Sequence, residues 1–328
     1  MSTKREEPGT LLSFRPTIKV LDATIRDGGL VNNFAFRDEF VKALYQANIA
    51  AGVDYMEMGY KADKDIFDES KFGKWKFCRE DDIYSIVGEN NTPLKISCMA
   101  DVGRTNYERD IGAKANSPVD MYRIATYINT IPAAIAMIEH CHKLGYETTV
   151  NIMAISNATE KELDIALELL GQCPVDVIYL VDSYGSIYPE EMRVIAAKYL
   201  EAGAKYGKQI GIHAHNNQNL AFANTIECTA LGVNYLDATM SGMGRGAGNC
   251  AMELLLGFLK NPKYRLPHVL KFVEEHMLKL RAEGAVWGYD IPYLLTGVLN
   301  RHPSSAIRFI AEKRTDYTNF YQELLDQD

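Results

Sequence analysis

Two histidines, His213 and His215, stand two apart in the run QIGIHAHN. In an extended strand that spacing puts both side chains on one face. Neutral imidazoles side by side at a strand's C-terminal end suit a divalent cation. Alone, the pair is as readily two hydrogen-bonded polar residues at a rim. Asp27, at the end of the first apolar run and just before Gly28 and Gly29, offers an oxygen ligand to the same ion; by itself, Asp-Gly also reads as a turn. Arg26 beside it is a permanent cation with a planar donor fork, able to hold a developing enolate oxygen or to make a surface ion pair. Asn249 closes the glycine-rich SGMGRGAGN loop, where it could add a carbonyl oxygen to the metal or cap a helix opening there. Asp182 and Ser183 end VDSYG. The first could order a ligand histidine or Arg26, the second could donate to a substrate carboxylate, and a strand-end turn accounts for both equally well. His140 and His142 have helical surroundings, where an i, i+2 spacing makes side chains diverge. Glu57 sits in an apolar run, so as a buried acid it needs a partner.

Positioning such residues requires a scaffold that brings several strand ends together. Eight short apolar runs alternate with segments of helical period: 18–24, 55–60, 94–100, 121–128, 147–155, 176–183, 209–216 and 234–240. Helices are expected between most of them; PAAIAMIEHCHKLG opens on Pro132 and stops at Gly145. The third connection, 101–118, has room for a short helix at best. Eight strand–helix units in about 240 residues predict a closed parallel (β/α)8 TIM barrel rather than an open doubly wound sheet. Neither RDGG nor the glycine loop makes the G-x-G-x-x-G fingerprint of the open fold. The domain reading is an N-terminal arm over 1–16, a barrel over 17–262 and a C-terminal helical extension over 263–328. Residues 61–92 read as a polar insertion after the second strand, placed near the active face.

Composition narrows the function classes. The 328 residues are 47% hydrophobic with a net charge of −8 and no long basic block, which argues against a nucleic-acid groove. No apolar run reaches the roughly 18 residues of a membrane span. The six cysteines are scattered without a Cys-x-x-Cys, so buried thiols in a reducing cytoplasm are expected. No G-x-x-x-x-G-K-[ST] loop or lipase-like G-x-S-x-G is present.

Taken together, DATIRDGG at 22–29, GIHAHNNQNLAFAN at 211–224 and GMGRGAGNCAMELL at 242–255 resemble, in order and spacing, three signatures of the DRE-TIM metallolyases. Within that superfamily the chain is most similar to the 4-hydroxy-2-oxovalerate aldolases, through VDSYG at 181–185 and WGYDIPYLLTGVLNRH at 287–302. The resemblance implies one divalent ion, manganese or magnesium with zinc or cobalt as alternatives, held by Asp27, His213 and His215, with Asn249 as a further ligand. It implies that Arg26 stabilises a pyruvate enolate, that Ser183 binds the keto-acid carboxylate, and that Tyr289, or else Tyr293, reaches the substrate. The implied activity is an aldolase or lyase acting on a 2-oxo acid and an aldehyde. The pattern breaks at Leu30, where those aldolases carry a histidine base; the proton carrier could then be Tyr289, a metal-bound hydroxide or a residue of 61–92. Two alternatives stay open: a synthase condensing an acyl-CoA with a 2-oxo acid, and a barrel used only for binding. A homo-oligomer is expected. The aldehyde dehydrogenase that serves the resembling aldolases is not, because the tail is short and divergent.

Overall fold

The computed structural model describes residues 14–326. Most of the arm expected over 1–16 lies outside the described residues; within it, Arg15 donates to the Thr229 carbonyl at 2.9 Å.

Eight strands close a barrel in which each neighbour in sequence is a neighbour in space. They are β1 (Lys19–Asp22), β2 (Tyr55–Tyr60), β3 (Lys95–Asp101), β4 (Met121–Thr126), β5 (Glu147–Ile152), β6 (Val177–Asp182), β7 (Gln209–Ala214) and β8 (Tyr235–Ala238). All pairings are parallel, and β8 returns to β1 with Tyr235 opposite Lys19. A parallel barrel buries both faces of its strands, hence runs such as VIYLVD in β6 that are buried throughout. The expected fold class, a TIM barrel with C-terminal helices, is the one observed.

Within the barrel repeat the helices are α1 (Thr24–Asn32), α2 (Asp38–Ala51), α3 (Glu80–Val87), α4 (Tyr107–Asp110), α5 (Ile131–Lys143), α6 (Glu160–Gln172), α7 (Pro189–Tyr206), α8 (Ala221–Leu231) and α9 (Met252–Phe258). Their starts follow from capping chemistry. Thr159 and Glu162 bond reciprocally ahead of α6, and Pro189 supplies the first residue of α7. The helix α2 buries Val41, Leu44, Tyr45 and Asn48, a 3.6-residue stripe, and stops where Gly52 takes φ 74°.

Three local readings are corrected. The first strand ends at Asp22, not beyond Thr24, because the Asp22 carboxylate accepts the Thr24 N–H at 2.9 Å and a helix starts there. Asp27, Gly28 and Gly29 therefore lie inside α1. Gly29 is needed not for a turn but for close packing: a Cβ there would stand 2.1 Å from the Phe34 ring. The stretch 61–92 is not one insertion either. Its second part forms α3, the barrel's outer helix after β2, and only the segment before it, with short turns at Glu69–Lys71 and Lys74–Lys76, is added loop. The third connection yields only the four-residue α4, as expected.

Beyond the barrel come α10 (Leu266–Phe272) and α11 (Leu278–Ala282), joined by a π turn at Val273–Met277, then α12 (Ile291–Val298), α13 (Ser304–Ala311) and α14 (Tyr317–Leu325). The first two pack into the main core through Val269, Phe272 and Met277, while Ala306, Phe309, Phe320 and Leu324 form a small core of their own. All six cysteines are buried and free. No helix among the described residues is long and apolar enough to cross a membrane.

Candidate metal centre and active site

Asp27, His213 and His215 converge at the barrel's C-terminal end, with one ligand atom from each lying within 4.8 Å of the others. His213 is the penultimate residue of β7, and His215 follows it in a bridge that pairs it with Asn249. The strand period keeps both rings inside, 5.1 Å apart between centroids. Asp27 arrives from the first turns of α1, directly above β1. All three side chains are buried.

Their protonation states suit ligands. Burial pushes the His215 imidazole down to about 3, only partly offset by the Asp27 charge, so the ring is neutral at ordinary pH. Burial alone would raise the Asp27 carboxyl, but Arg26, His215, His213 and an Asn249 hydrogen bond outweigh it and hold it well below the usual carboxylate range. The His213 Nδ1 faces Asp237 Oδ2 at 3.0 Å, so Nε2 is left as the free nitrogen; it is buried and has no partner. Asn249 donates its amide to Asp27 Oδ2 and to the Met243 carbonyl, and its own Oδ1 is likewise buried and unpartnered. Buried acceptors without donors are costly. Two imidazoles, a carboxylate and an amide oxygen match a divalent cation of borderline to hard character, so the residues present fit the ion that the resemblance implies. Asn249 does not open a helix; α9 begins at Met252, and Asn249 is fixed instead by its bridge to His215.

Behind the ligands lies a belt of buried charge that motif reading missed. Arg26 donates Nε to Glu57 Oε2 at 2.8 Å and Nη1 to Asp27 Oδ1 at 2.9 Å. The same Glu57 oxygen accepts Arg123 Nη1 at 3.0 Å, and Arg123 Nη2 donates to Asp237 Oδ2, the atom that holds His213. Arg123 also stacks 4.5 Å from the Tyr179 ring centroid. The belt thus runs from Asp27 through Arg26, Glu57, Arg123 and Asp237 to His213. It supplies the partner that Glu57 required. The sequence signal was present: a lone charge in the middle of each of three apolar strands, YMEMGY, MYRIAT and YLDA, with one cation between two acids.

Among the other residues singled out from sequence, Ser183 lines the same pocket, and its Oγ accepts the Ala154 N–H at 2.8 Å. Asp182 reaches neither Arg26 nor a histidine. Its carboxylate accepts the N–H groups of Ser186 at 3.0 Å and Ile187 at 3.4 Å, which makes it the strand-end turn. Leu30 lines the pocket, as do Tyr60, Asn151 and Arg245. Tyr289 is 53% exposed and is not among the pocket's lining residues, nor is any residue of 61–92. Tyr293 packs against the glycine loop, where a Cβ on Gly246 would lie 3.0 Å from its ring. The C-terminal extension braces that loop: Trp287 Nε1 donates to the Ser241 carbonyl at 2.9 Å, and Gly288 N–H donates to the Gly246 carbonyl at 3.1 Å.

A parallel eight-stranded barrel with these residues at its C-terminal mouth has the architecture of a TIM-barrel enzyme site. Residues 17–276 match the HMGL-like family model, and the chain belongs to that family. It is similar to the oxaloacetate decarboxylase of Mycobacterium tuberculosis, 28% identical over 74% of this chain and 69% of that protein. It is also similar to the 4-hydroxy-2-oxovalerate aldolase of Thermus thermophilus, 30% identical over 73% of this chain and 68% of that one. Among solved structures, the N-terminal domain of a candidate aldolase from Bacteroides vulgatus superposes with a TM-score of 0.78 at 28% identity, covering 89% of this chain and 96% of that one. Its relatives are thus lyases, aldolases and decarboxylases, which supports an enzyme.

Proposed function

We propose that this chain is a divalent-metal-dependent carbon–carbon lyase that makes or breaks a bond next to the keto group of a 2-oxo acid, passing through a pyruvate-type enolate. One observation carries the reading. The three candidate ligands Asp27, His213 and His215 share a small pocket with Arg26, whose Nη2 is buried without a partner. A divalent ion held by Asp27, His213 and His215, with Asn249 as a further ligand, would supply a Lewis acid to the 2-oxo acid.

The chain's own groups account for the rest. Arg26 is clamped on two sides by Glu57 and Asp27, so its remaining N–H groups are preorganised toward the pocket and offset the negative charge that grows on the enolate oxygen. Ser183 accepts a hydrogen bond from Ala154, which leaves its own hydroxyl proton free to donate to the substrate carboxylate. Asp237 keeps the proton of His213 on Nδ1 and its Nε2 lone pair available. Leu30, 37% exposed at the pocket, cannot accept a proton. That position favours a second reading alongside the first: loss of carbon dioxide from a 3-carboxylated 2-oxo acid, the chemistry named for the Mycobacterium relative, needs the enolate site but no such base.

The test is a pair of reactions on protein loaded with manganese or magnesium: decarboxylation of oxaloacetate, and exchange of the methyl protons of pyruvate with deuterated water. Both should occur, and Asp27→Asn and His215→Ala should abolish them together with metal binding while leaving the barrel folded. Absence of both reactions in the loaded wild-type protein, or full metal content and activity in either variant, would refute the proposal.

A further inference from the structure

Three arginines stand in or behind the pocket, and they are not equivalent. Arg26 has Glu57 and Asp27 as counter-charges, and Arg123 has Glu57 and Asp237. Arg245, in the glycine loop at the pocket's rim, takes part in no ion pair among the described residues, and its buried Nε has no partner. Among the described residues its guanidinium makes one side-chain contact at hydrogen-bond distance, to His302, with Nη1 3.2 Å from Nε2. That contact is not a satisfying one. The Ser304 N–H donates to His302 Nδ1 at 3.1 Å, and a neutral imidazole has only one acceptor nitrogen. The ring's single acceptor is therefore contested by two donors, the Ser304 N–H and Arg245 Nη1, and cannot satisfy both. Burial together with the Arg245 charge keeps that ring neutral, its proton affinity held below the ordinary histidine range. The guanidinium is thus a half-buried fork of donors with no carboxylate partner among the described residues, an unpartnered Nε and, at most, one contested imidazole nitrogen.

The loop carries this fork over the metal ligands. A Cβ on the preceding Gly244 would lie 2.6 Å from Asp27 Oδ2, so the backbone passes directly across the site. The pocket itself is a small cavity of about 70 Å³. A substrate gripped at its keto-acid end by the ligand cluster, Arg26 and Ser183 has its far end within the same small space as Arg245.

We propose that Arg245 selects substrates with a second carboxylate beyond the reacting carbons: in the cleavage direction a 4-hydroxy-2-oxo diacid, in the condensing direction pyruvate with an aldehyde that bears a carboxylate. The inference rests on the enolate-lyase reading and deepens it. A planar guanidinium fork matches a carboxylate in two-point geometry. The held group is the one that stays. Pairing a carboxylate with a cation opposes its departure as neutral carbon dioxide, so this assignment sets the anion on the aldehyde half. In cleavage the C3–C4 bond breaks and its electron pair forms the enolate. The C4 hydroxyl gives its proton to pocket water and that carbon becomes the aldehyde, which keeps its carboxylate. The enolate takes up a proton to leave as pyruvate. No oxidant, reductant or further reactant is needed.

An inert pair of ligands tests the selection. 2-Oxoglutarate is the 4-deoxy diacid and cannot be cleaved; 2-oxopentanoate has the same skeleton with a methyl in place of the second carboxylate. Calorimetric titration of the manganese-loaded wild-type protein should show 2-oxoglutarate binding at least about tenfold tighter, the scale of one charge-assisted contact. The preference should shrink with added salt. Arg245→Gln should bring the two affinities within about threefold, and Arg245→Lys should restore part of the gap. In turnover, pyruvate with glyoxylate should outpace pyruvate with acetaldehyde in the wild type, and the ratio should collapse in Arg245→Gln. Equal affinities in the wild type, an undiminished preference in Arg245→Gln, or an equal loss for both ligands in that variant overturns the assignment. If pyruvate still exchanges its protons in any of those cases, the lyase reading survives and only the role of Arg245 falls. If neither 2-oxo acid binds and no exchange occurs, both fall together.

Discussion

Asp237→Asn isolates the charge of the belt from its shape. Asp237 uses a single oxygen, Oδ2, to hold both His213 Nδ1 and Arg123 Nη2, while Oδ1 has no partner. Asparagine can place its one acceptor where Oδ2 stands and its amide where Oδ1 stands, so both hydrogen bonds can survive. What disappears is the negative charge. In the buried group of Arg26, Arg123, Asp27, Glu57 and Asp237, two cations face three carboxylates, leaving one net negative charge for a cation to meet; the variant leaves none. The imidazole also loses an anionic partner that raises its basicity as a ligand. Changes at such supporting positions typically weaken metal binding about 10- to 100-fold, or about 1.4–2.7 kcal/mol. The metal-free fold should lose less than in a truncation. Arg123 retains Glu57 at 3.0 Å, so about 1–3 kcal/mol is expected from a buried amide without a partner and a weakened ion pair. Asp237→Ala, which strands Arg123 and His213 together, should cost about 3–5 kcal/mol. Manganese titration followed by electron paramagnetic resonance, alongside urea unfolding of the metal-free proteins, measures both quantities. An Asp237→Asn protein that binds manganese within twofold of the wild type would show that the belt is mere core filling.

Other perturbations probe neighbouring links. Glu57→Gln removes the one charge shared by two buried arginines; stability should fall by about 3–5 kcal/mol, and pyruvate proton exchange by tenfold or more because Arg26 loses its lateral clamp. Gly244→Ala places a methyl 2.1 Å from Asn249 Nδ2 and 2.6 Å from Asp27 Oδ2; metal binding should be lost while circular dichroism and the unfolding midpoint stay near wild type. Asp182 gives a pH signature: burial raises its carboxyl to about 7 despite three backbone N–H groups. The folded state then binds more protons than the unfolded one between about pH 4 and 7, so this group's contribution falls as pH rises through that window. Asp182→Asn should gain stability relative to wild type as pH rises from about 4 to 7; a constant difference in denaturant titrations across that window would rule this out.

The fold was legible because two periods alternate so regularly. Eight apolar runs separated by helical stripes leave few topologies for a parallel sheet, and glycines at helix ends such as Gly52 mark boundaries that the structure keeps. His213 and His215 could be read for the same reason, since a strand's period of two dictates a shared face. Asp27 was placed on the wrong element because DATIRDGG looks like a strand running into a turn. The hydrogen bond from Thr24 N–H to Asp22 that starts α1 belongs to the folded backbone and leaves no mark on hydropathy. Tyr289 is tied to the substrate by motif alone; it stands in the loop ahead of α12, and motif carries no information on which way a loop side chain points. Arg245 has no signal of its own in the sequence, because a single cation in a glycine loop gains meaning only once its neighbours are known to offer it no counter-charge.

The belt also explains how one barrel interior can serve as core and as site. Glu57, Arg123 and Asp237 sit in the strand layer and are nearly or wholly inaccessible to solvent. Such charges would each be strongly unfavourable alone. They persist because each has an opposite charge at hydrogen-bond distance, and the price is that none can move without stranding the next. That rigidity is what the ligand end needs. Asp27 and His213 are the two termini of one chain of ion pairs, so their separation is set by packed strands rather than by loops. The glycine loop, by contrast, bonds to the belt through Asn249, passes Asp27 at Gly244 and is braced from outside by Trp287 and Gly288. The positions of Asp27 and His213 are therefore written into the barrel, while within the loop only the Arg245 side chain, which makes no hydrogen bond to the belt, can vary without disturbing them. Double variants make the separation measurable: Asp237→Asn and Arg245→Gln share no hydrogen-bond partner, so their effects on manganese affinity and on diacid preference should be independent. A coupling larger than about 0.5 kcal/mol between them would mean that the loop and the belt act as one unit.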